Sequence, residues 1–216
     1  RDGLAVSVTG GGSLHGTEID VPGDASAAAF LAAAAAIVPG SDVLLRGVGV
    51  NPTRRAFFDF LVRAGADVTK HDARDAGHEP VADLRIRHRT LRPLEIGPAE
   101  IPGLIDELPL VAVVAAFARG VSTVRGAREL RVKESDRIAS VAAALRAIGG
   151  AIEEREDGWS IEGAGRLRGG SVETRGDHRI AMAFLVAGLR AAEGVTVDDA
   201  APAAVSDPGF LPRLRK

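Results

Sequence analysis

Arg131, Lys133, Glu134, Asp136 and Arg137 crowd into the stretch LRVKESDRIAS, residues 130–140. Ile138, Val141, Ala142, Leu145 and Ile148 follow at spacings of three and four, so the charges sit where a helix with one buried face begins. The positive dipole end and free N–H groups of a helix start favour acids, so cations there need a reason. A solvated helix entry is the plain one. The chemical one is an anion site, in which Lys133 and Arg137 hold a negatively charged ligand beside the helical N–H groups while Glu134 moves a proton. If the helix already includes Lys133, that residue and Arg137 form a like-charged pair at i,i+4. If Ser135 is the N-cap, Lys133 and Glu134 lie on the entering loop and Arg137 falls in the first turn.

Two other stretches share this character. GDHRIAMAF, residues 176–184, sets Asp177 before a helix whose first turn carries His178 and Arg179. Cations at that end are unfavourable unless an anion lies between them and the N–H groups, or unless Asp177 caps and Arg179 pairs locally. In EIPGLIDELPLVAVV, residues 100–114, Asp106 and Glu107 interrupt an apolar run. Pro109 suits a first helical turn and favours Asp106 as the N-cap; the alternative is a carboxylate that accepts hydrogen bonds from substrate hydroxyls.

The elements that carry these residues repeat. Residues 23–68, 104–154 and 176–216 each open with an acid (Asp24, Asp106, Asp177) before a small-residue apolar helix and meet a glycine stop (Gly40, Gly120, Gly194). A short strand follows (DVLLRG, STVRGA, VTVDDA), then a second helix, which the first two copies close at Gly65 and Gly149. ADLRIRHRTL and WSIEGAGRL alternate apolar and polar residues as half-buried strands do. The unit reads helix–strand–helix–strand–strand at a period of about 70–80 residues, beyond the roughly 20–50 of solenoid modules. Such a triplication predicts an α/β domain of pseudo-threefold symmetry over residues 21–216, with alanine-rich helices packed inside and sheets outside. Residues 1–20 are assigned to something else, because GLAVSVTGGGSL reads as a strand and turn without a partner. The start at Arg1 in mid-pattern reads as that of a fragment.

Bulk properties exclude several classes. The 216 residues, 46% hydrophobic and 26% charged, suit a soluble globular protein with a sizeable core. A net charge of −2 argues against binding nucleic acid or membranes through overall charge. Without cysteine there is no disulfide, thiolate metal site or cysteine nucleophile, and the five histidines show no zinc-binding spacing. AAAFLAAAAAIV is too short to span a bilayer.

LRVKESDRIAS, GDHRIAMAFLVAGL, IDELPLVAVVAAFA and IDVPGDASAAAFL together resemble the 5-enolpyruvylshikimate-3-phosphate synthase (3-phosphoshikimate 1-carboxyvinyltransferase) family. VPGSDVLLRGVGVNPTR and ADLRIRHRTL are similar to its class II bacterial branch. The resemblance implies the enolpyruvyl transferase fold, of two domains each built from three βαβαββ repeats. Residues 21–216 would be the C-terminal domain and residues 1–20 the tail of a missing N-terminal domain. It implies transfer of the enolpyruvyl group of phosphoenolpyruvate to the 5-hydroxyl of shikimate 3-phosphate, with release of phosphate, in a cytoplasmic, monomeric enzyme that uses no cofactor or metal. By the same resemblance Asp106 binds the shikimate hydroxyls and accepts the proton of the attacking one. Glu134 protonates the methylene carbon, Lys133 lies between the two substrates, and Arg137 and Arg179 clamp phosphoenolpyruvate, with His178 and Asp177 in support. A lysine–serine loop, an arginine and a Ser-Gln stretch would come from the other domain, so this chain alone should not turn over. The sequence departs from the family at Asp207, where an aromatic is usual, and at Val205, where some members carry a lysine.

Other readings are UDP-N-acetylglucosamine enolpyruvyltransferase, which shares fold and chemistry but is disfavoured by the missing cysteine, and a stand-alone binding module. A nucleic-acid binder would use Arg54, Arg55, Arg85, Arg87, Arg89 and Arg92, which lack interleaved aromatics.

Overall fold

A computed structural model describes residues 3, 5–16 and 18–214. The Arg1 start and the Lys216 end of the third repeat lie outside them. Residues 6–16 and 18–20 form neither helix nor strand, and Val6 and Val8 are 78% and 93% exposed. Over these residues the expected strand does not form.

The first unit begins where Gly23 bridges in parallel to Val48. Asp24 takes an extended backbone and accepts the Ser26 N–H at 2.9 Å, capping helix α1 (Ala25–Ile37). Strand β1 (Asp42–Gly49), helix α2 (Ala56–Arg63), β2 (Asp67–Ala76) and β3 (Glu79–Arg87) follow, the strands forming an antiparallel sheet in the order β1-β3-β2. The second unit repeats this with β4 (Glu95–Ile96), a single turn α3 (Ile101–Leu104), α4 (Leu108–Phe117), β5 (Arg119–Val124), a 3₁₀ turn (Arg128–Val132), α5 (Arg137–Ala147), β6 (Ala151–Arg155) and β7 (Gly158–Ala164). Its sheet runs β4-β5-β7-β6. The third has β8 (Gly170–Val172), α6 (His178–Gly188), β9 (Val195–Val197) and two short helices, α7 (Ala203–Ser206) and α8 (Phe210–Leu214).

The triplication is therefore present, with one element that periodicity did not show. A short lead strand precedes each first helix and pairs in parallel with the strand after it: Gly23 with Val48, β4 with β5, β8 with β9. At two or three residues these strands are too brief to show alternation. The glycine stops are real, since Gly40, Gly120 and Gly194 hold φ of 81°, 120° and 69°, a region that side-chain-bearing residues avoid.

Helices α1, α4 and α6 pack against one another at the centre, and every residue of α4 is buried. A helix apolar all round belongs in an interior, and alanine lets its neighbours approach closely. The three run parallel. Arg179 in the first turn of α6 reaches the residues before α4, whereas Arg190, just past the end of α6, donates to Ile37 O at the end of α1 at 2.6 Å. The sheets lie outside. Strand β7 comes so close to the end of α4 that a Cβ on Gly163 would sit 2.2 Å from Ala118 O. From the same strand Trp159, wholly buried, donates its indole N–H to Ile138 O at 2.9 Å and fixes the start of α5. Among the described residues no helix is long and apolar enough to cross a membrane.

Candidate active site

The starts of α4, α5 and α6 meet at one end of the bundle. Asp136, not Ser135, caps α5: its Oδ1 accepts the Ala139 N–H at 3.0 Å. The Ser135 hydroxyl is engaged elsewhere, donating to Asp177 Oδ2 at 3.0 Å. Arg131 braces the entering loop through Asp136 (2.8 Å) and Glu154 (3.1 Å), which gives it a structural role. Lys133 remains outside the helix and pairs with Glu129 at 2.5 Å, so the like-charged helical pair with Arg137 does not arise and Lys133 is not drawn into the cluster.

Arg137 is 1% exposed and ion-paired on several sides. Its Nε and Nη2 donate to the Asp177 carboxylate at 2.8 and 3.3 Å, Nη2 also reaches Glu134, and Nη1 lies 3.9 Å from Asp106 Oδ1. Asp177 caps α6 by accepting the Arg179 N–H at 2.9 Å, as the sequence suggested. Burial pushes its carboxyl up, but the hydrogen bond and charge of Arg137, with Ser135 and the Arg179 N–H, outweigh burial and hold it below the usual carboxylate range. Glu134 is half exposed and pairs with the buried Arg137 guanidinium from the solvent side.

Asp106 does not cap α4. The chain is already helical at Ile105 and Glu107, whereas an N-cap needs an extended backbone. Pro109 does sit in the first turn. Asp106 is thereby free to face the arginines, with Oδ2 3.4 Å from Arg179 Nη2. Arg179 Nη1 donates to Asp106 O at 3.0 Å and lies 3.4 Å from Glu107 Oε1. His178 is half-buried; burial, then the neighbouring Arg179, push its imidazole down against the opposing pull of Asp177 and Glu134. Asp106, Glu134, Arg137, Asp177, His178 and Arg179 thus converge, while Lys133 stands apart. Among the described residues no group of His, Asp and Glu could hold a metal ion.

Glu107, Ser26 and Arg54 belong to the same end but had no role in the enolpyruvyl transferase reading. Burial raises the Glu107 carboxyl, against a Ser26 hydrogen bond and the charges of Arg179 and Arg54. The signal available was the second acid of IDELP, overshadowed by the first. Asp207, the departure from the family, pairs with Arg213 and accepts the Gly209 N–H at 3.1 Å, and it lines a small cleft with Ser26, Phe30, His178 and Arg179. Val205 is 87% exposed.

Two guanidinium groups at the starts of α5 and α6, each held by carboxylates, form a seat with Glu134 and Asp106 on its open side. That seat suits a small anion that must also gain or lose protons. The family model described as EPSP synthase (3-phosphoshikimate 1-carboxyvinyltransferase) matches residues 1–214. The chain belongs to the EPSP synthase family. It is 53% identical over 215 residues to the 3-phosphoshikimate 1-carboxyvinyltransferase of Geobacter sulfurreducens, covering 100% of this chain and 50% of that protein. With the Synechococcus elongatus enzyme of the same name it shares 48% identity over 213 residues, 99% of this chain and 48% of that one. Among solved structures, an EPSP synthase from Acinetobacter baumannii superposes with a TM-score of 0.88 at 44% identity, over 93% of this chain and 47% of that one. The enolpyruvyl transferase NikO from Streptomyces tendae superposes at 0.66 with 18% identity, over 88% and 42%, which shows a shared fold. The chain spans about half the length of the curated relatives it matches.

Membership in the EPSP synthase family also weighs between the earlier alternatives, favouring this family over UDP-N-acetylglucosamine enolpyruvyltransferase. Of the arginines considered for nucleic acid, Arg55 pairs with Asp59, Arg85 with Asp42, and Arg87 and Arg89 with Asp67, so their charge is already answered within the fold.

Proposed function

We propose that this chain supplies one half of an enolpyruvyl transferase acting on phosphoenolpyruvate and shikimate 3-phosphate. In this reading residues 21–216 are the C-terminal domain, residues 1–20 belong to an N-terminal domain, and the partner is that domain within a monomeric, cytoplasmic enzyme. The observation that carries the reading is the paired seat itself. Arg137 and Arg179 lie in the first turns of α5 and α6, and Asp106 stands 3.9 and 3.4 Å from them.

Phosphoenolpyruvate carries a phosphate and a carboxylate, and two guanidinium groups beside helix N–H groups complement that charge. Arg137 and Arg179 hold it there. Asp106 accepts the hydroxyls of shikimate 3-phosphate and takes the proton of the attacking one. Glu134 gives a proton to the methylene carbon, so the double bond becomes a C–O bond and a methyl group. Returning that proton to Glu134 as the C–O bond to phosphate breaks restores the enolpyruvyl double bond, and the departing phosphate takes the hydroxyl proton from Asp106. Asp177 keeps Arg137 oriented, and His178 supports the wall. Lys133 would have to leave Glu129 to lie between the substrates.

Reconstitution tests this reading. The chain alone should release no phosphate from the two substrates, because preorganised groups supply most of catalysis and about half are absent. Adding the N-terminal half as a second chain should restore turnover. Phosphate release by the chain alone, or none after a folded second half is added, would contradict it.

A further inference from the structure

Glu107 occupies the N-cap position of α4, yet its side chain caps nothing. The fold does not require an acid there, since the chain enters α4 from a helical turn and Glu107 N donates to Leu104 O at 2.9 Å. Its carboxylate is nonetheless buried, and burying a charge is costly unless it is paired and hydrogen-bonded. Arg179 and Ser26 stand beside it, and Arg54 stands behind Ser26. Arg179 approaches from α6 at 3.4 Å, and the Ser26 hydroxyl comes from α1. Arg54, on the loop before α2, donates its Nη2 to Ser26 Oγ at 3.3 Å. Asp106 is the acid beside it on its own turn. A line of polar contacts thus joins the three repeats and ends on Arg179.

Arg179 has a second acid in Asp106, 32% exposed and on the open side. If Asp106 is to receive substrate hydroxyls, it must release Arg179 while a ligand is bound. Arg179 then needs a partner that does not leave, and Glu107, on the buried side, is so placed.

We infer that Glu107 is a positioning residue, which holds the Arg179 guanidinium from within the bundle so that Asp106 can exchange Arg179 for substrate. Arg54, through Ser26, holds Glu107 in turn. This rests on the function proposed above. Burial raises the Glu107 carboxyl against the pull of its cations, so the neutral form would suit the fold better than the charged one.

The test uses the two-domain protein. Glu107→Gln keeps size and hydrogen bonding but removes the charge. It should raise KM for phosphoenolpyruvate about 3–10-fold, the scale of one weakened charge-assisted contact. KM for shikimate 3-phosphate and kcat should stay within about threefold, with the melting temperature unchanged or higher. Arg54→Gln should act in the same direction and add little to Glu107→Gln, as expected of one connected chain. It also reads the relay if Glu107→Gln fails to fold. Unchanged KM values in both variants, or equal loss in every parameter together with a lower melting temperature, would overturn the inference. If the wild-type protein transfers no enolpyruvyl group, the functional reading fails separately. Crystal structures of wild type and Glu107→Gln then decide this inference alone: a displaced Arg179 guanidinium supports it, and an unmoved one ends it.

Discussion

The two ends of the central bundle both carry arginines, and they treat them differently. Where α1, α4 and α6 stop, Arg190 donates directly to Ile37 O and lies over the Phe117 ring at 5.0 Å, and His88 Nδ1 is 2.8 Å from Ala36 O. A cation such as Arg190 at a helix end follows the dipole and answers free carbonyls, and no carboxylate is paired with Arg190 or His88 among the described residues. Where the helices start, Arg137 and Arg179 oppose the dipole, and each is surrounded by acids: Asp177, Glu134 and Asp106 for one, Asp106 and Glu107 for the other. The first arrangement completes the fold. The second adds desolvation and charge opposition that the fold does not need, and a ligand anion would account for it.

That contrast can be broken most sharply at Glu134. In the two-domain protein Glu134→Gln should lower kcat about 10²–10⁴-fold, the reach of general acid–base catalysis, with little change in either KM. Steady-state rates within about threefold of wild type would send the proton by another route. Arg137→Ala comes next. It strands the fully buried Asp177 and should cost about 3–5 kcal/mol in urea denaturation. Replacing the pair together, as Arg137→Met with Asp177→Leu, should recover much of that stability because a buried ion pair is often matched by apolar packing. It should recover no turnover. Restored activity in the double variant would mean that the pair serves only the fold.

The smallest effect is one of sign. Glu107 has a raised folded pKa, so between the ordinary carboxylate value and the raised one the native state binds more protons than the unfolded state. Its contribution to stability therefore falls as pH rises through that window and stays lower above it. Asp177, with a depressed value, does the reverse: its contribution is present above the ordinary carboxylate value and is lost as pH falls through its own. Glu107→Gln should accordingly match wild type near pH 3 and exceed it at pH 7 in denaturation midpoint. A variant less stable than wild type at pH 7 would show that the charge supports the fold.

Most of the architecture was legible because repeats amplify weak signals. Asp24 and Asp177 each precede an alanine-rich run, and both proved to be caps. The same comparison misled at Asp106, since the extra turn Ile101–Leu104 changes how the chain enters α4 and transfers the N-cap position to Glu107. Ser135 looked like a cap, but a hydroxyl within reach of a buried Asp177 forms the stronger bond there. The pairing of Arg137 with Asp177 could not be read, because the two are 40 residues apart and neither periodicity nor local spacing records which helix starts meet. Glu107 was visible only as an acid in an apolar run; Arg179 and Ser26 come to it from other elements.

The central claim is that cations at the helix starts serve a ligand and cations at the helix ends serve the fold. It is tested most directly by measuring KM for phosphoenolpyruvate in Arg179→Ala and Arg190→Ala variants of the two-domain protein, with denaturation midpoints taken in parallel. Arg179→Ala should raise KM by about tenfold or more, the value of one charge-assisted contact. Arg190→Ala should leave KM unchanged and lose about 0.3–1 kcal/mol of stability. An unaltered KM in Arg179→Ala, or a rise of equal size in Arg190→Ala, would contradict the account.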